Sequence, residues 1–236
     1  MSNWEAQALQ FAWFTPSAGE LKADVLFLAG FGEEADQIQR SRHPSPATPY
    51  LSLATADANG ISRKVLINPG RIDLILAAQD DSGVQGIATL PETSAQFAAL
   101  FQCAQRISSE IANTIRVAVV TTLAQPVESA RAATELIAPR IGGIGGDLGN
   151  VTDLFFQVNR FRPFICDPSL RMYRVVRFAS IQLQLMTVMV SPVQGAANQA
   201  PFDLGFAGQN VIDLNSAPAP TPFRPEQMLA ILEELY

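Results

Sequence analysis

The sequence predicts an α+β protein in which a largely antiparallel sheet has helices packed on one face. Neighbouring strand-like segments are joined by short turns, which favours antiparallel pairing, whereas strict alternation of strands and helices would favour a parallel sheet. Strands are also concentrated late in the chain. The 236 residues suit a single α+β domain, and two intertwined halves, about 1–113 and 114–236, are the alternative division.

Apolar and β-branched runs predict the strands. The first is Ala8–Phe14, and Ile61–Ile67 with Arg71–Ala77 form a hairpin whose turn contains Pro69 and Gly70. Later strands are predicted at 114–124, 153–161, 171–190 and 209–217.

Apolar residues at three- and four-residue spacings predict the helices. The clearest lies within 91–113, a second begins at Pro126 and ends before Pro139, and a third covers 224–236. Two further segments are less regular: 21–40 is ambiguous between strand and helix, and 41–49 is an irregular loop because it contains three prolines.

Composition points to a protein with few surface charges. Charged residues make up 16% of the chain, compared with about 25% in an average soluble domain, and the net charge is −6. Either partner subunits or a neutral polar surface would explain this. The negative charge argues against nonspecific binding of the whole molecule to nucleic acid or acidic membranes. Cys103 and Cys166 lack a CxxC spacing, and the sequence shows neither a targeting pattern nor an apolar run long enough for a membrane helix. We therefore expect a cytoplasmic protein without a membrane partner.

No catalytic constellation is apparent, so we expect no catalytic residue, no metal and no cofactor. The single histidine, His43, lies in the proline-rich loop, and no serine has a GxSxG context. Asp73, Asp153 and Asp213 would hold magnesium only if they converged, and isolated acids beside strands are more often caps or partners of arginine.

Two glycine-containing stretches are candidate nucleotide sites. "IGGIGGDLGN" at 141–150 lacks the lysine and hydroxyl of a P-loop, so a turn between a helix and a strand is favoured. "AGFGEEA" matches GxGxxA at Gly30, Gly32 and Ala35, which makes a nucleotide-dependent enzyme an alternative. Its two glutamates would repel phosphates, so a loop or helix end is favoured there.

An arginine block is the main electrostatic feature of the sequence. Five arginines and one acid, Asp167, lie between positions 160 and 177, with aromatic residues among them; the arginines are Arg160, Arg162, Arg171, Arg174 and Arg177. Such a block suits nucleic acid or an acidic partner. In an extended strand, however, Arg171 and Arg177 point to one side and Arg174 to the other.

Three blocks, "NPGRIDLIL", "DLFFQVNRFRP" and "NVIDLNSAPAP", resemble in their order a group of uncharacterised bacterial proteins with an R-I-D strand and a D-F-x-x-Q-x-N-R strand. The resemblance spans most of the chain. It implies an α+β fold and a helix before "GFGEEA", and it transfers no activity.

Strand periodicity in two of these blocks predicts a structural polar network. Arg71 and Asp73 would share one strand face, and so would Asp153, Gln157 and Asn159. If the two strands were neighbours, Arg71 would pair with Asp153.

Together these observations favour a non-enzymatic interaction or assembly protein, a subunit of a bacterial homo- or hetero-oligomeric complex, with a role in defence as one option. A nucleic-acid-binding accessory protein that uses the arginine block is the first alternative.

Overall fold

The computed structural model describes residues 4–42, 50–79, 87–141, 151, 154–190 and 197–236, with the side chains of 183–190 and 197–204 left aside. This part of the chain contains nine strands, four α-helices and one 3₁₀ turn, Ala18–Glu20. The strands are β1 (Glu5–Phe14), β2 (Gln37–Arg40), β3 (Ser52–Ala58), β4 (Ile61–Asn68), β5 (Arg71–Ala78), β6 (Arg116–Val127), β7 (Phe155–Pro163), β8 (Arg171–Val190) and β9 (Ala197–Ser216). The helices are α1 (Ala23–Phe31), α2 (Thr93–Ser108), α3 (Ala130–Ile141) and α4 (Pro225–Leu235).

The nine strands form one sheet in the order β2-β3-β4-β5-β1-β6-β9-β8-β7. Every neighbouring pair is antiparallel. Strand β1 lies between β5 and β6, so the sheet continues from the strands before residue 113 to those after it. The α+β prediction is therefore confirmed.

The core lies on the side of β1 that carries Leu9, Phe11 and Trp13, all fully buried. The Phe11 ring stacks on Phe97 of α2 with ring centroids 5.9 Å apart. The Trp13 indole donates a hydrogen bond of 3.2 Å to the Ser108 hydroxyl, so the buried ring leaves no polar atom without a partner there.

All four helices cover this same side of the sheet. Helix α1 packs on β3 and β4, α2 on β1, α4 on β6, and α3 on β8 and β9. On β9, a Cβ at Gly208 would contact Leu136 and Ile137 of α3. Leu214, six residues further along the same strand, packs against the main core. Residues separated by an even number share a strand face. The helices therefore leave the opposite face of the sheet uncovered by any described helix.

The start and end of α3 differ from the prediction. Pro126 does not begin a helix; it lies in β6 opposite Ala207, beyond the last residue of β6 that pairs with β1, so its missing N–H costs no hydrogen bond there. The helix begins after Ser129, whose hydroxyl accepts the N–H of Ala132 at 3.1 Å. Helix α3 also continues past Pro139.

The ambiguous segment 21–40 contains both a helix and a strand, α1 and β2. Gly32 ends α1 with φ +75°, the left-handed conformation usual after a helix. The implied helix before "GFGEEA" is thus present.

The hairpin of β8 and β9 extends beyond the strands on either side of it. Strand β7 pairs with β8 as far as Ala179, and β6 pairs with β9 as far as Phe206. From Leu183 opposite Gly205 to Val190 opposite Ala197, the two strands pair only with each other among the described residues. We call 183–190 and 197–205 the hairpin extension.

Candidate functional site

The arginine block divides between the two faces of the sheet. Arg160 on β7 lies directly opposite Arg174 on β8, and Arg162 lies opposite Met172, a core residue. These three arginines therefore face the helix side. Arg171 and Arg177 face the other side, where their guanidinium groups lie over aromatic rings, that of Phe161 at 5.1 Å and that of Phe155 at 5.7 Å. The predicted opposition of Arg174 to Arg171 and Arg177 is borne out by the register.

A groove lies on the helix side above β7, β8 and β9. It consists of two adjoining cavities of about 550 Å³ and about 250 Å³, and both Arg160 and Arg174 line each of them. Arg162 and Glu234 of α4 lie at one end, and Arg140 of α3 lies at the other. The rest of the described lining is apolar: Phe156, Val158, Phe161, Met172, Val176, Phe178, Ile212 and Leu214.

Glu234 is the acid at this groove, and its carboxylate is fully engaged. It accepts hydrogen bonds from the Arg162 guanidinium, from the N–H of Ile165 at 2.8 and 2.9 Å, and from the N–H of Cys166 at 3.1 Å. Burial acts to raise the pKa of Glu234, but these donors stabilise the carboxylate more strongly and lower its pKa to about 2. Glu234 therefore anchors the turn after β7 and is not available to Arg160 or Arg174.

Strand β7 is an edge of the sheet, and on its outer side it pairs with no strand among the described residues. The N–H of Phe164 donates to the carbonyl of Leu170 at 3.0 Å, and the N–H of Ser180 donates to that of Leu154 at 2.8 Å. These two bonds direct the backbone of even-numbered β7 residues toward β8. The backbone groups of the odd-numbered residues, Phe155, Gln157, Asn159 and Phe161, consequently point outward, and the side chains of both phenylalanines are more than 60% exposed.

The uncovered face carries a polar network that includes Arg71 and Asp73 of the predicted set. Asp73, only 3% exposed, accepts hydrogen bonds from Arg71 and Gln10, both at 2.7 Å, and from the Asn68 amide at 3.4 Å. The Phe14 ring lies between the guanidinium groups of Arg71 and Arg116.

The network continues onto β9. Arg116 donates to the Asn215 amide oxygen at 3.0 Å, and Asn215 donates to Asp213 at 2.8 Å. Polar contacts thus link β5, β1, β6 and β9. Gln10, Arg116 and Asn215 had no signal in the sequence, because they belong to strands far apart in the chain.

The later part of the predicted network lies elsewhere. Strand β7 is five positions from β5, so the two are not neighbours and the condition for an Arg71–Asp153 pair is not met. Asp153 itself is outside the described residues. Gln157 and Asn159 are on β7 as predicted, and Gln157 accepts a 3.3 Å hydrogen bond from Arg177.

The remaining candidates give no catalytic or metal arrangement in the described part of the chain. Asp73 and Asp213 are separated by β1 and β6, and the described residues contain no group of three His, Cys, Asp or Glu that could hold a metal ion. Gly30 lies inside α1, where its carbonyl accepts from Arg106 at 3.0 Å, and Gly32 follows the helix end, so a phosphate would meet a helix C-terminus there. His43 and positions 142–150 of the glycine stretch are outside the described residues.

Comparison with protein-family models found no match, and comparisons with curated proteins and with solved structures also found none. The resemblance to the R-I-D group therefore stays a prediction. Over the described ranges, no helix has the length and apolar character needed to cross a membrane.

Proposed function

We propose that this protein acts by binding other protein chains, as a subunit of a homo- or hetero-oligomeric complex, and that the hairpin extension is its main contact. The observation that carries the proposal is the backbone of the extension, whose strands pair with each other and with no other described strand. A two-stranded ribbon is marginally stable at best in water.

The sequence of the extension supports the same conclusion. Positions 183–190 read LQLMTVMV and 197–205 read ANQAPFDLG, with one charged residue, Asp203. At about 3.4 Å per residue, eight residues span roughly 27 Å. An apolar ribbon of this length needs a protein surface to shield it from water.

Two further features favour assembly. The outward-pointing backbone groups of β7 offer an edge onto which a strand of another chain could add. The low share of charged residues, 16%, suits a surface that is partly covered by partners.

The test shortens the hairpin without disturbing the sheet. Residues 183–205 are replaced by Asn-Gly, a favoured two-residue hairpin turn, which joins Gln182 to its partner Phe206. Light scattering should give the full chain a mass above the 25.4 kDa of one chain, and the shortened variant a mass near that of one chain. If the partner is a different protein, affinity capture should retain it with the full chain only.

A control variant, Val25→Ser, removes an exposed apolar side chain from α1 and should leave the mass and the captured proteins unchanged. A full chain that is strictly monomeric, and that captures nothing the shortened variant loses, would contradict the proposal.

A further inference from the structure

The groove above β7, β8 and β9 contains two arginines that have no acidic partner among the described residues. Arg160 and Arg174 are directly opposite each other on neighbouring antiparallel strands. Like charges in this arrangement destabilise a sheet. Among the described residues neither guanidinium forms a hydrogen bond or ion pair, and the nearby Glu234 is engaged by Arg162 and two backbone N–H groups. An anion bound between the two arginines would remove the repulsion.

The charge of the site suits a dianion. Arg160 and Arg174 line both cavities of the groove, and Arg140 lines the smaller one. Guanidinium groups bind phosphate oxygens through pairs of hydrogen bonds, and a phosphate monoester carries close to two negative charges at neutral pH. The two positive charges of Arg160 and Arg174 match that charge.

The floor of the groove requires an apolar component in the ligand. On the α4 side the arginine pair is flanked by Met172, Ile212 and Leu214, and on the α3 side by Val158 and Val176. Most of these side chains are half-buried. A bare anion would leave them in contact with water, whereas an aliphatic chain would cover them. The volume of about 550 Å³ falls in the range of sites for small organic ligands.

We propose that this groove binds a single soluble amphiphile, a phosphate monoester with an aliphatic chain, with its head between Arg160 and Arg174 and its chain on the apolar floor. A single molecule is favoured over a bilayer surface because α3 and α4 border the groove and the whole chain has a net charge of −6. None of the described lining residues belongs to the hairpin extension, so variants of the arginine pair leave the proposed assembly contact unchanged.

The experiment titrates the full chain with decyl phosphate below its micelle-forming concentration and follows binding by calorimetry. We expect one molecule to bind per chain, at least about tenfold more tightly than ethyl phosphate, inorganic phosphate or decyl maltoside. Arg160→Gln and Arg174→Gln should each weaken binding about tenfold or more.

Arg171→Gln and Arg177→Gln are matched controls, because they remove the same charge from the opposite face of β8, the strand that carries Arg174. Both should bind decyl phosphate like the wild type. Thermal unfolding checks that each variant is folded. If one glutamine variant fails to fold, the corresponding lysine variant replaces it and should bind more weakly than wild type, because lysine lacks the paired donors.

Three results would overturn the proposal. The first is equal weakening by the variants on both faces, and the second is equal affinity for decyl and ethyl phosphate. The third is binding only to anionic vesicles or equally to hexaglutamate, which would indicate a membrane surface or an acidic protein segment.

Discussion

Glu234 provides the sharpest test of how the end of α4 holds the turn after β7. The variant Glu234→Gln removes the charge that accepts from Arg162, Ile165 and Cys166 while keeping the size of the side chain. Since the pKa falls from its usual 4.5 to about 2, the folded state favours the carboxylate by about 3 kcal/mol. The Arg162 side chain is 48% exposed, so solvent screening lowers the expected loss of stability to about 2 kcal/mol.

The sign of the pH dependence follows from the lowered pKa. A carboxyl group with a lower pKa in the folded state contributes its full stabilisation above its unfolded pKa, near 4.5, and loses it as the pH falls toward 2. Urea unfolding should therefore show a gap of about 2 kcal/mol between wild type and Glu234→Gln at pH 7, and a narrowing gap between pH 4.5 and pH 2.5.

The neighbouring Glu233 is exposed, and Glu233→Gln serves as the control with an expected change below about 0.5 kcal/mol. The reasoning is refuted if Glu234→Gln costs no more than this control, or if the gap to wild type is the same at pH 3 and at pH 7.

Two further predictions concern the sheet. Asp73→Asn should lower the free energy of unfolding by about 2 kcal/mol, because the buried Asp73 carboxylate accepts three hydrogen bonds. Asp213→Asn, at a half-buried position, should cost less than about 1 kcal/mol, and equal costs in chemical denaturation would contradict this. Gly208→Ala should cost about 1 to 3 kcal/mol because its Cβ would lie 2.8 Å from a Leu136 methyl, while Gly19→Ala, with its nearest contact at 3.6 Å, should change the melting temperature little. A melting temperature unaffected by Gly208→Ala would show that α3 shifts easily on the sheet.

Local patterns in the sequence were sufficient to predict most of the elements. The β5 strand was predicted from its alternation, and the apolar spacing within 91–113 predicted α2. The sequence does not predict the short strand β2, nor the change from helix to strand within 21–40, because segments this short show no clear periodicity. The predicted start of α3 at Pro126 is too early. A proline suits the first turn of a helix, but it also suits the part of a strand that extends beyond the end of a neighbouring strand.

The groove could be predicted only in part. Strand parity separates Arg174 from Arg171 and Arg177, and this needed no structure. The position of Arg160 opposite Arg174 depends on the register between β7 and β8. The position of Glu234 at the groove depends on where α4 ends. Such relations arise from tertiary packing, for which a single sequence without an alignment contains no signal.

The central position of β1 affects how the chain can fold during synthesis. Its partner on one side, β5, follows within the same half, but its partner on the other side is β6, where Phe14 lies opposite Arg116, about 100 residues later. At 5 to 20 residues per second, ribosomes need about 5 to 20 s to make that stretch. For this interval one side of the first strand stays open to pairing with other nascent chains, so the middle of the sheet is the part of the fold most dependent on timely completion of the chain.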